Sequence, residues 1–376
     1  MLIDLLSGKR REPAECVITV AGREISELYP FLTEVSVDCG RDRAATARMR
    51  FESRRDEHGR WSVQDAGIFL PWATITIEAV FGSQRQEILR GYVREVAAEY
   101  PQNAAEATVT VECQDESLAL DREHRRRNWG ADAPSADQLI LAGIASDHGM
   151  MPSPDSGAGQ TGLVLNQDAT DIAFLRERAE ANGYELIFRE GEIYFGPMRV
   201  GSAAQPTILV YAGPDTNCVN FSIRSDGHRP DRVILQLATT SGSTAEEQTV
   251  EPDLEMMGVQ SAGSDGMGLR DFAWRLSRQG GRNEVEMQAR AQRQANENAM
   301  KLHAEGELDG SLYGHVLLVG LPVAVDGVGD WLAGTYYVDR VRHRFSVDGY
   351  QQSFALLRNA YGDNVSSAGN VLAGVL

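Results

Sequence analysis

Two stretches 245 residues apart carry the same short pattern. In Leu89-Arg90-Gly91-Tyr92-Val93-Arg94-Glu95-Val96 and Gly334-Thr335-Tyr336-Tyr337-Val338-Asp339-Arg340-Val341, residues Tyr92, Val93 and Val96 fall on Tyr337, Val338 and Val341. The same offset lays Thr108–Glu112 over Ser353–Leu357 and, with a weaker match, Ile77 and Val80 over Pro322 and Val325. What recurs is a set of strands, so the economical fold is one β unit built twice.

Alternation of apolar and polar residues supports this through residues 16–120, as in Val35, Val37 and Cys39, in Ala47, Met49 and Phe51, and in Val109, Val111 and Cys113. Turn residues between the runs predict an antiparallel meander, a first β-barrel domain over 1–120. From Asp121 the character changes. Arg122–Arg127 reads as a solvated basic linker balanced by Asp121, Glu123 and Asp132, and Ser135 precedes a predicted helix over Ala136–His148. Residues 152–162 read as a Pro/Gly/Ser linker. Asp168 and Asp171 have capping-box spacing before a second helix closed by Asn182-Gly183. A hairpin turning at Glu190-Gly191 follows. Residues 121–205 are therefore expected to form an inserted α+β module. Strand pattern returns over 206–360, the expected second barrel, interrupted by an excursion at 239–301. That excursion has a short helix predicted around Phe272–Leu276 and ends in an alanine-rich helix with Met287, Ala291, Ala295 and Ala299 on one stripe. Residues 361–376 form a Gly/Ser/Val tail.

Chemistry is sparse. The sequence has no nucleophile elbow, zinc-protease helix or Walker loop, and the seven histidines show no ligand spacing. Gly327-Val328-Gly329-Asp330 sits between strand patterns and reads as a hairpin turn. His343, on an alternating strand, reads as a core or interface histidine. Cys16, Cys39, Cys113 and Cys218 stand at least 23 residues apart, which points to buried thiols of a reducing cytoplasm and not to disulfides or a metal site. No catalytic residue, cofactor or metal is expected. The formal net charge of −18 argues against gripping nucleic acid or an anionic membrane. The longest uncharged stretch, Gly310–Val325, is too short and interrupted to span a bilayer, and Met1–Leu6 is too brief for a signal-peptide core.

Several segments together resemble the phage late control protein D family, which includes baseplate hubs and the N-terminal part of VgrG spikes. The resemblance rests on Leu89–Val93 with Cys113-Gln114-Asp115, on Asp171–Leu175 leading to Glu180–Glu185 and Ile193–Pro197, and on Gly334–His343 closing through Gly349-Tyr350 and Phe354. It implies a mainly β fold with an α+β insert: two tail-tube-like antiparallel barrels per chain, three chains making a pseudo-sixfold ring. It further implies a non-enzymatic hub in a virion tail baseplate or injection-system particle, assembled in the bacterial cytoplasm. A tail tube protein would sit above, a separate spike protein below, and baseplate wedge or sheath-associated proteins around, with acidic residues lining the ring to repel a passing polyanion. Gly91, Tyr92, Val93, Val96, Tyr337, Val338, Val341 and His343 are the candidate structural and assembly residues. A VgrG-like spike component carrying an effector is the alternative, and a baseplate-borne cell-wall hydrolase a more distant one. The short C-terminal tail departs from the VgrG pattern, which continues into a spike.

Overall fold

The computed structural model describes residues 13–237, 246–263, 271–276 and 284–365. The first part supplies β1 (Glu15–Val20), β2 (Leu32–Gly40), β3 (Arg43–Glu52), β4 (Thr74–Phe81), β5 (Gln84–Glu99) and β6 (Thr108–Asp115). The middle part contains β7 (His124–Trp129), α1 (Asp137–Asp147), β8 (Leu165–Thr170), α2 (Asp171–Asn182), β9 (Glu185–Arg189) and β10 (Glu192–Gly196). The last part contains β11 (Gln205–Leu209), β12 (Cys218–Ser225), β13 (Arg232–Leu237), β14 (Glu246–Val250) and β15 (Ala273–Arg275). It continues through α3 (Glu284–Ala299), β16 (Leu302–Asp309), β17 (Pro322–Asp326), β18 (Gly334–Ser346) and β19 (Gly349–Arg358).

A curled 13-stranded sheet runs through both repeats in the order β12-β16-β19-β18-β2-β3-β6-β5-β4-β1, with Arg23–Glu24 beyond β1 and with β17 and β11 branching from β18. Each half orders its strands alike, β2-β3-β6-β5-β4-β1 and β12-β16-β19-β18-β17-β11. The register shows how the halves correspond. β5 slips against β6 between Val93 and Glu95, and β18 slips against β19 between Val338 and Arg340, so the same bulge recurs at the offset of the sequence repeat. The flanking strands correspond at other offsets. Thr74 pairs with Tyr92 as Pro322 pairs with Tyr337, and Val96 pairs with Val111 as Val341 pairs with Phe354. Ile77 therefore matches Val325, not Pro322, and Thr108 matches Gln351, not Ser353, because the hairpins differ in length. One asymmetry remains: β1 is antiparallel to β4, whereas β11 is parallel to β17.

Alternation gives each half its own core. Ile18, Val35, Val37, Met49, Phe51, Ile77, Val93 and Val111 fill the first, and Ile208, Val323, Val325, Tyr336, Val338, Phe354 and Leu356 the second. Burying each such side chain contributes roughly 1.5–3 kcal/mol. A third core, under the middle part, brings Ile140, Leu141 and Ile144 of α1 against Ile172, Phe174 and Leu175 of α2 and Ile193 and Phe195 of β10.

Several local expectations change. The basic segment is not a linker: His124–Trp129 is a strand paired with β8, with Arg125 and Arg127 reaching Asp147 and Arg126 reaching Asp168. Asp168, thus spent across the strands and on His124, leaves the cap of α2 to Thr170, whose hydroxyl accepts from the Ala173 N–H at 3.4 Å. Gly183 closes that helix with φ of 69°, as its position predicts. Short strands at Met151–Pro152 and Thr161–Leu163 also overlap the two ends of the expected linker. Around Phe272–Leu276 the chain forms strand β15, parallel to β13, not a helix. Together with β14 these strands cover the stripe of α3, where Met287, Ala291 and Ala295 meet Val233, Leu235 and Val250. Asn298, not Ala299, continues the buried stripe. Met1–Leu6 and the tail beyond 365 lie outside the described residues.

Candidate functional site

The two halves meet where residues 340–345 of β18 pair antiparallel with residues 35–40 of β2. His343 stands opposite Val37 and Phe345 opposite Val35, and the core-facing side chains Val341, His343 and Phe345 are all buried. The corresponding segment of the other half is residues 95–100, the end of β5 with Tyr100 just beyond it, and the strand that corresponds to β2 is β12, where Phe221 and Ile223 take the places of Val35 and Val37. Among the described residues, both are open. β5 is paired with β4 only as far as Tyr92, and β12 pairs only with β16. Val96 and Tyr100, the counterparts of Val341 and Phe345, are 36% and 57% exposed where the latter are 2% and 9%. One strand junction is closed within the chain, and its counterpart ends in two unpaired edges that present core-type residues to solvent.

The candidate residues separate along this line. Val93, Tyr337, Val338, Val341 and His343 are buried and Tyr92 is half-buried, while Val96 is exposed. Gly91 is required by close approach: a β-carbon there would lie 2.0 Å from the Gln114 carbonyl oxygen. Sequence reasoning did not single out Tyr100, Phe221 or Ile223, because their role appears only when the halves are matched strand by strand.

His343 is locked in the junction. Its Nδ1 lies 2.8 Å from the Tyr350 hydroxyl, and the Tyr350 ring stacks on Phe345 at 4.1 Å. Burial pushes the imidazole down to about 3 from an ordinary 6.5. Because the unfolded chain binds this proton more readily, the stabilisation is fully present above 6.5 and drains away as pH falls toward 3. At ~1.4 kcal/mol per unit the full loss approaches roughly 4–5 kcal/mol. Urea unfolding between pH 7 and 4 should therefore show a steep stability loss in the wild type. The loss should be shallower in His343→Gln; equal slopes would show that the acid sensitivity resides elsewhere.

A second feature missed in the sequence is Arg41, in the turn between β2 and β3. Its guanidinium is buried and reaches three parts of the molecule. It donates to Asp339 of the β18 bulge at 2.7 Å, to Glu297 of α3 at 2.8 and 2.7 Å, and to Glu185 of β9 at 3.1 Å. Tyr337 completes the cluster by donating its hydroxyl to Glu185 at 2.7 Å. Burial works against the charge of Arg41, but Glu297, Glu185 and Asp339 outweigh it and hold the group more firmly cationic.

The sheet face turned away from the cores is strongly charged and close to balance. Arg48, Arg50, Arg94, Arg224, Arg340, Arg342 and Arg344 stand among Glu34, Asp38, Glu52, Glu95, Glu99, Glu112, Glu305 and Glu307. Cross-strand pairs such as Arg344–Glu34 at 2.7 Å and Arg94–Glu112 at 2.6 Å organise them. Among the described residues, the acidic excess of the chain is not concentrated on this face.

Solved structures with a similar fold include tail proteins. The 43 kDa tail protein of prophage MuSo2 from Shewanella oneidensis matches at 13% identity with a TM-score of 0.67, over 92% of this chain and 98% of that one. A tail protein from Neisseria meningitidis MC58 matches at 13% identity and 0.62, over 92% and 97%. The E. coli c3393 protein, a component of the type VI secretion system, matches at 11% identity and 0.54, over 93% and 78%. No curated protein matches the chain in sequence. The fold is thus that of phage tail and injection-system proteins. A family model described as the Alg8 N-terminal domain matches residues 11–346, nearly the whole described structure, and the chain belongs to that family.

Proposed function

We propose that this chain is a structural baseplate hub that assembles as a ring of three, joining a sixfold tail tube to a threefold spike and forming part of the central conduit. The observation that carries the reading is the open counterpart of the β18–β2 junction. Repeating that junction between copies pairs residues 95–100, at and just beyond the end of β5, with residues 226–221, at and just beyond the end of β12, in the next chain. Val96 then faces Ser225, Ala98 faces Ile223 and Tyr100 faces Phe221, extending the apolar face of each core across the boundary. The contact is head to tail, and a ring closes it with no edge left over. Eight strands from each copy, β12-β16-β19-β18-β2-β3-β6-β5, make 24 in three copies, and the two halves of each chain supply six similar units. The tail-protein fold of the solved relatives supports the same reading. In such a ring the near-neutral sheet face lines the passage, where cross-strand ion pairs hold its charges and leave little net field to capture a cargo. A tube protein above, a separate spike protein below and wedge or sheath-associated proteins around are the partners this places on the ring.

The register makes the test specific. Opposed residues of antiparallel strands lie within disulfide reach. A chain carrying both Ala97→Cys and Arg224→Cys should therefore oxidise to covalent trimers, and one carrying Ala97→Cys with Asn220→Cys should not. A monomer by native mass, or cross-linking only in the offset pair, would overturn the ring.

A further inference from the structure

Between the β2–β3 turn, α2, β9 and α3 lies an open cavity of about 460 Å³, and five arginines line it. Arg41 is committed to Glu185 and Glu297, which leaves Arg43, Arg176, Arg290 and Arg293 beside two further carboxylates, Asp42 and Glu180. Arg290 and Arg293, three apart on α3, project from one helix face, and Arg176 approaches from α2. Arg293 donates to the Tyr184 carbonyl at 3.2 Å, but Nη1 of Arg290 is shielded from solvent and meets no acceptor among the described residues. A shielded cationic donor without an acceptor is costly, and native structures provide one. In a chain with 18 more acidic than basic residues, this local surplus of guanidinium groups is selective. Their planar forks match the paired oxygens of a carboxylate or phosphate.

We infer that this cavity binds a compact oxyanion of carboxylate or phosphate chemistry, received by Arg290 and Arg293 of α3 with Arg176 of α2. The site is separate from the strand edges, so its occupancy is read independently of ring assembly. The full chain is titrated calorimetrically with inorganic phosphate and, separately, with citrate, at ionic strength held constant with sodium chloride. Saturable heat is expected with at least one of them, accompanied by a rise in Tm of roughly 3–5 °C at a hundredfold excess over Kd. Binding of phosphate assigns a phosphate ligand, and binding of citrate alone assigns a carboxylate. Arg290→Gln should weaken the affinity at least tenfold with the oligomeric state unchanged. Arg176→Gln, at an exposed position, should weaken it without disturbing the fold. Absence of saturable binding to either anion, an equal response to chloride, or full affinity in both variants would overturn the site.

Discussion

Arg41→Met should lower stability by about 3–5 kcal/mol, since removing one partner of a buried ion cluster strands the others without compensation. Glu185 is almost wholly enclosed, and Glu297 and Asp339 are mostly so. With the guanidinium gone, Glu185 is left enclosed without its cation, and Glu297 and Asp339 lose theirs. At the entropy of unfolding usual for a chain of this length, the loss corresponds to a fall in Tm of about 4–6 °C, read by calorimetry. Arg41→Lys should recover little of it, because an ammonium cannot serve Asp339 and both oxygens of Glu297 together. Combining Arg41→Met with Glu297→Leu should recover part, by replacing stranded charge with packing. By contrast Arg344→Met, which removes the solvent-exposed pair with Glu34, should cost less than about 1 kcal/mol. Equal losses at Arg41 and Arg344 would show that the buried cluster does not tie the parts of the molecule together.

This cluster also marks where reading the sequence stops. Local periodicity announces strands because each residue's neighbours report its face, and it found β2, β3, β6 and the repeated β5 and β18. Asn182-Gly183 announced the end of α2, whereas its start is capped by Thr170 and not by the Asp168 that the spacing offered. Arg41 carries no such signal: it is one of 34 arginines, and its partners lie 144, 256 and 298 residues away. The repeat was visible only in its central strand. Matching the sequence at one fixed offset misplaces the strands on either side, since 18 residues separate Thr74 from Tyr92 but 15 separate Pro322 from Tyr337. The correspondence of β2 with β12 is invisible in sequence, because the long excursion between β12 and β16 displaces it from the rest of its half and the residues differ. The segment Ala273–Arg275 misled for a related reason. Too short to show a period, it takes its strand geometry from β13.

The same substitution at two equivalent positions should have opposite consequences. Val96 and Val341 occupy one place in the repeated unit, the first core-facing residue beyond the bulge, yet Val96 is 36% exposed and Val341 2%. Val341→Lys puts a charge between Cys39 and Phe354 inside the closed junction and should prevent the chain from folding, seen as loss of soluble protein. Val96→Lys leaves the isolated chain with a solvated lysine, and its Tm should stay within about 1 °C of wild type. In the ring, however, that lysine is buried against Ser225 of the next copy at all three junctions. An edge lysine is a common natural device against strand pairing, and here it should shift the sedimenting species from trimer to monomer at micromolar concentration. Tyr100→Lys should act likewise through Phe221. A Val96→Lys chain that still forms trimers would remove the end of β5 from the contact, and one that fails to fold would show that this segment is already buried within the chain.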